Sequence, residues 1–83
     1  MEGSEFLERA KKELAKILER RYGIKAPTGN MYVVFYSYIL GYNKCTISSS
    51  DMCNMYAEVT LNDGRDEMYI DVYNKTSNDC IDV

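Results

Sequence analysis

Residues 53–73 read CNMYAEVTLNDGRDEMYIDVY. The first half alternates: Cys53, Met55, Ala57, Val59 and Leu61 fall on one side, Asn54, Tyr56, Glu58 and Thr60 on the other. The second half repeats the pattern, with Met68, Ile70 and Val72 set against Glu67, Tyr69, Asp71 and Tyr73. A period of two is the signature of a strand with one buried and one wet face. Asp63-Gly64 stands between the runs and is a strong short-range hairpin signal. These residues therefore predict two antiparallel strands with an apolar face and a face of tyrosines and carboxylates.

Upstream, Met31 to Leu40 is rich in β-branched and aromatic residues and reads as a further strand. By the same logic Tyr32, Tyr36 and Tyr38 share the wet face, and Val33, Phe35 and Ile39 point inward. Val34 and Leu40 interrupt this pattern. Gly41-Tyr42-Asn43-Lys44 reads as a turn, Cys45 to Ser48 as a short strand and Ser48 to Asp51 as a loop.

Ser4 to Tyr22 has helical spacing: Phe6, Leu7, Ala10, Leu14, Ile17, Leu18 and Tyr22 lie on one stripe. Ser4 is the expected N-cap and Gly23 the left-handed residue that closes the helix. Glu5/Arg9, Glu8/Lys12 and Lys16/Glu19 have the spacing of surface ion pairs. Pro27 keeps Ile24 to Asn30 out of a helix. From Asn74 onward the chain is polar up to Cys80-Ile81-Asp82-Val83, which either adds an edge strand or stays loose.

The expected fold is α+β and two-layered, with one N-terminal amphipathic helix packed on a three- to four-stranded antiparallel meander sheet. Residues 1–83 form a single domain, with a loose tail over 74–83 as an option. Gly3-Ser4-Glu5-Phe6 also matches what two common cloning sites encode in frame, so residues 1–6 are candidates for a vector remnant.

Charge is distributed unevenly. Met1 to Gly29 holds seven Lys/Arg and five Asp/Glu, a net +2; Asn30 to Val83 holds three and eight, a net −5. The overall −3 speaks against direct nucleic-acid binding, which needs a basic patch. There is no apolar run near the eighteen residues that span a bilayer, and no secretory signal, so a cytoplasmic protein without membrane contact is expected. Cys45, Cys53 and Cys80 are an odd count and suit free thiols. The alternative is one disulfide in a small secreted binding module, with Cys45 facing Cys53.

The absence of histidine removes the commonest general base and metal ligand. A non-enzymatic protein without cofactor or metal is expected. The best candidate for function is the wet sheet face, where Tyr56, Glu58, Glu67, Tyr69, Asp71 and Tyr73 gather, with Asp63 and Asp66 added from the turn. Tyrosine gives a large contact area with a polar tip, and carboxylates favour Lys/Arg-rich partners. The plainer reading is that tyrosine simply suits an exposed strand. Asn62 to Glu67 has a passing likeness to a calcium loop but lacks its ligand spacing, and a turn explains it better.

The order helix then antiparallel strands is similar to the cystatin layout. The turns at Gly41-Tyr42-Asn43-Lys44 and Asn62-Asp63-Gly64-Arg65 carry no glutamine–hydrophobic–glycine loop, so protease inhibition is not implied. Small size, acidity and a tyrosine-rich sheet also resemble phage-encoded host-defence inhibitors such as anti-CRISPR proteins. The expected function is to cover a basic surface of another protein, such as the groove of a nucleic-acid-binding protein. The alternative is a structural homodimer or larger homo-oligomer.

Overall fold

A computed structural model describes residues 1–83. Helix α1 spans Gly3–Tyr22, a 3₁₀ turn covers Thr28–Asn30, and four strands follow: β1 Met31–Ile39, β2 Tyr42–Ser49, β3 Met55–Asn62 and β4 Glu67–Asn74. The strands form one antiparallel sheet in the order β1-β2-β3-β4. The fold is therefore the expected α+β helix-and-meander, with four strands. The tail after Asn74 adds no strand and is exposed.

Phe6, Ala10, Leu14 and Leu18, on the apolar stripe of α1, are fully buried. They meet Cys45 and Ile47 of β2 and Ala57, Val59 and Leu61 of β3, with Ala26, Met31 and Met52 closing the margins of the core. Met68, Ile70 and Val72 of β4 are only half-buried, because a single helix does not reach across all four strands. A shallow cleft remains between α1 and β4, over Ile17, Met68 and Ile70.

The helix is capped two residues earlier than the sequence suggests, at Glu2 instead of Ser4. Glu2, in extended conformation, is the N-cap, and its carboxylate accepts from the backbone N–H and hydroxyl of Ser4. This hydrogen bonding holds the Glu2 carboxyl below its ordinary value. The C-terminus closes as expected: Gly23 adopts φ 67°, its N–H bonds the Glu19 carbonyl, and Ile24 N–H reaches back to Leu18. The surface ion pairs differ from the expected set. Glu13 takes both Arg9 Nε at 3.0 Å and Lys16 Nζ at 3.3 Å, and Glu5/Arg9, Glu8/Lys12 and Lys16/Glu19 do not pair.

The first hairpin turns one residue pair earlier than the sequence reading placed it. Leu40 and Gly41 both have positive φ, 54° and 82°, and form a two-residue connection between the paired Ile39 and Tyr42. Tyr42, Asn43 and Lys44 are therefore strand, not turn, and β2 is a full-length strand from Tyr42 to Ser49. Two positive φ values match the primed turns that suit strand twist, where Asn-Gly is the preferred pair. Leucine in the left-handed region costs about 1–2 kcal/mol. Leu40→Asn is expected to stabilise the domain by about 1 kcal/mol and to raise the melting temperature by about 4–8 °C. Thermal unfolding of dilute protein checks this, and an unchanged or lowered midpoint contradicts it.

Strand β1 departs most from the expectation. Its register with β2 slips between Val33 and Phe35, leaving Val34 in a β-bulge. Before the bulge Met31 and Val33 face the helix and Tyr32 faces outward. After it the phase inverts. Tyr36 and Tyr38 lie opposite the buried Cys45 and Asn43 on the helix side, whereas Phe35, Ser37 and Ile39 lie opposite Thr46, Lys44 and Tyr42 on the open side. Of the three tyrosines placed on the wet face from sequence, only Tyr32 is there. Phe35 and Ile39, expected inside, are outside.

Candidate functional site

The open face of the sheet is built by β3 and β4. Residue pairs in register across them are Tyr56↔Tyr73, Glu58↔Asp71, Thr60↔Tyr69 and Asn62↔Glu67. Their inward neighbours Ala57, Val59 and Leu61 are buried, so alternation forces all eight to the open side. Tyr56 and Tyr73 stack with ring centroids 5.1 Å apart and planes 15° from parallel. The Tyr69 hydroxyl donates to the Glu67 carboxylate.

These contacts set the protonation of the face. Hydrogen bonding to Glu67, and then its charge, raises the Tyr69 phenol above its ordinary value. Glu58 does the same to Tyr73 in the same order, and Asp71 adds to it. Both phenols stay neutral donors through the physiological range. What they contribute to stability is fully present below pH 10 and is lost as the pH rises through their raised values.

The structure brings six of the eight expected residues together: Tyr56, Glu58, Glu67, Tyr69, Asp71 and Tyr73 share one face. It separates Asp63 and Asp66 from them. Asp63 Oδ2 accepts from Nδ2 of the buried Asn43 at 3.3 Å, and its Oδ1 accepts from the N-terminal amine of Met1 at 3.3 Å. Asp63 thus turns toward the helix side. Asp66, at φ 52°, lines the α1–β4 cleft beside Arg9. The connection is a four-residue turn, in which the Asn62 carbonyl accepts from Arg65 N–H and its side chain caps Gly64 N–H. The left-handed residue is Asp66 rather than Gly64, so this is not the tight Asp-Gly hairpin form.

The sequence reading missed one component of the open face and one of the core. Phe35, Ile39 and Tyr42 extend the face across β2 to β1 as an uncharged, aromatic-aliphatic region. The alternation of Tyr42, Lys44, Thr46 and Ser48 against Asn43, Cys45, Ile47 and Ser49 was the available signal. Asn43 is fully buried and accepts from the Tyr36 hydroxyl at 2.6 Å, so its amide joins β1, β2 and the β3–β4 turn. No buried side-chain polar atom lacks a partner.

Cys45, Cys53 and Cys80 are all free thiols. Cys45 lies opposite Tyr36 and Val59 inside the sheet, whereas Cys53 is exposed in the β2–β3 connection, so the two do not face each other. Burial pushes the Cys45 thiol up to about 11, which removes it from nucleophilic chemistry at neutral pH. No group of three or more Cys, Asp or Glu side chains converges on a common point. No helix is long and apolar enough to cross a membrane.

A single amphipathic helix over one face of a four-strand meander, with the other face open, defines a small two-layer α+β domain of the open-faced kind. The chain belongs to a family of unknown function (DUF6275), which it matches over residues 7–83. No curated protein and no solved structure matches the chain.

Proposed function

We propose that this chain is a non-enzymatic protein-binding domain that uses the β3–β4 face to cover a basic surface on a partner protein. The observation that carries this reading is the clustering on one open face of a stacked tyrosine pair, a third tyrosine, and the carboxylates Glu58, Glu67 and Asp71. Lys44 is the one cation on the strand positions of that face. Paired tyrosines give a preorganised contact surface with little side-chain entropy left to lose. The carboxylates steer cationic partners and suppress acidic ones. A nucleic-acid-binding protein fits this description, since its phosphate groove is basic, and occupying that groove makes the domain an inhibitor of the anti-CRISPR kind.

The test uses the immobilised protein to retain partners from the source cell, followed by binding of the purified partner at graded salt. Affinity is expected to fall at least about tenfold between low and physiological ionic strength. The triple substitution Tyr56→Ala, Tyr69→Ala and Tyr73→Ala is expected to abolish retention while leaving the circular dichroism spectrum native. A complex indifferent to salt, or one that survives the triple substitution, contradicts this function.

A further inference from the structure

The open edge of β1 is unlike the rest of the surface. Eight of the fifteen exposed large hydrophobic residues fall within residues 32–42. Val34 is 62 % exposed, Phe35 56 %, Ile39 64 % and Leu40 90 %. No charged residue occurs anywhere between Lys25 and Lys44. Edge strands present unpaired N–H and C=O groups, and proteins that stay monomeric guard them with charge, proline, a bulge or a covering element. The opposite edge, β4, carries Glu67 and Asp71. Strand β1 has neither charge nor proline, and its one bulge, at Val34, leaves Phe35 to Ile39 as a regular open edge.

Backbone geometry leaves this edge available. In a two-residue hairpin Ile39 and Tyr42 form the hydrogen-bonded pair, so alternation turns the N–H and C=O of Tyr38 and Tyr36 toward the open edge. Tyr38 stands at the rim of the helix side, and Phe35 and Ile39 at the rim of the open face, so a strand added here finds apolar contacts on both faces.

We propose that β1 pairs antiparallel with β1 of a second copy of this chain, making a closed dimer with one continuous eight-stranded sheet. Charge, closure and contact select a second copy. A neutral strand is self-complementary about a two-fold axis, with no like charges brought together. With strands about 4.8 Å apart, the joint places the acidic β4 strands about 34 Å from each other, well beyond the screening length of about 8–10 Å. Pairing β4 with β4 instead sets Glu67 and Asp71 against their own copies. Pairing β1 with β4 is head-to-tail and does not close. The exposed side chains of Phe35, Tyr38 and Ile39 add apolar contact on both faces of the joint to the hydrogen bonds of the paired backbones. This surface is distinct from the β3–β4 face, which the dimer leaves open on both copies.

Sedimentation equilibrium over a wide concentration range tests the proposal directly. A mass rising from 9.6 kDa to twice that value is expected. The double substitution Val34→Lys and Ile39→Lys is expected to weaken dimerisation at least about tenfold by placing like charges across the two-fold axis. Hydrogen exchange of the unmodified protein supplies a readout that needs no variant: the Tyr36 and Tyr38 amides are expected to slow as concentration rises, while β4 edge amides do not. A monomeric mass throughout the range overturns the proposal, as does a dimer whose Tyr36 and Tyr38 amides ignore concentration. Tyr36 and Tyr38 amides protected only on addition of an unrelated extended peptide also overturn it, and assign the edge to a different protein. A salt titration of the β3–β4 face leaves these results unchanged, so the two proposals fail separately.

Discussion

Phe6→Ala is expected to destabilise the domain by about 3–5 kcal/mol. The ring is fully buried beneath the first turns of α1 and packs against Tyr36, with centroids 6.0 Å apart and planes tilted by 44°. Truncation removes the transfer free energy of the whole ring and leaves a cavity that the surrounding sheet fills only in part. An 83-residue domain has roughly 3–8 kcal/mol in total, so most of its stability goes with this one side chain. Urea unfolding reads the effect as a large fall in midpoint at an unchanged slope. A loss under about 1 kcal/mol contradicts the burial. Phe6 lies one residue before the family match, which begins at Leu7. Its ring nevertheless belongs to the same core as the matched residues Ala10, Leu14 and Leu18.

Asn43→Asp is expected to be nearly as damaging at neutral pH, although it changes one side-chain nitrogen for an oxygen. Asn43 is fully buried, and its Nδ2 donates to Asp63 Oδ2 at 3.3 Å. An aspartate places a second carboxylate where that donor stood. Two carboxylates at this distance do not both ionise inside a protein, and the cost is about 3–5 kcal/mol. The sign of the pH dependence follows. The added carboxyl titrates in the folded state above its unfolded value near 4, so the variant approaches the parent below that pH and loses stability as the pH rises through the raised value. Stability measured at several pH values checks this. A destabilisation that does not vary with pH points to lost packing instead of charge. Tyr36 still has its acceptor in the variant, so the effect isolates the Asp63 contact.

Where the sequence was legible, one face of an element was buried and the other was not. The alternation through Met55–Leu61 and Met68–Val72, and the stripe Phe6-Ala10-Leu14-Leu18 in α1, stand out for that reason. Gly23 was legible because a glycine after a helical stripe has few other uses. Strand β1 was not legible: Met31 to Ile39 is apolar or aromatic nearly throughout, and no alternation marks the phase change at Val34. The Leu40–Gly41 turn was hidden because leucine is a poor residue for positive φ, and the polar residues just after it drew the turn to the wrong place. Asn43 was read as turn chemistry, and only its tertiary partners Tyr36 and Asp63 make it a core residue. The six face residues on β3 and β4 followed from strand period, whereas loop residues such as Asp63 and Asp66 have no period to orient them.

Strand order carries a kinetic consequence. In a β1-β2-β3-β4 meander every strand pairs only with its neighbours in the chain, across the short connections Leu40–Gly41, Ser50–Asn54 and Asp63–Asp66. Each hairpin closes a small loop, so little chain entropy is lost before the first native contacts reward it. Relative contact order is low for a protein that is mostly sheet, and the sheet can zip from either hairpin. The one distant closure is the docking of α1, which brings Phe6 onto Tyr36 and Met1 onto Asp63. Until that docking the inner face is bare, so the N-terminal helix sets the interval during which the nascent sheet is exposed to association with its own kind.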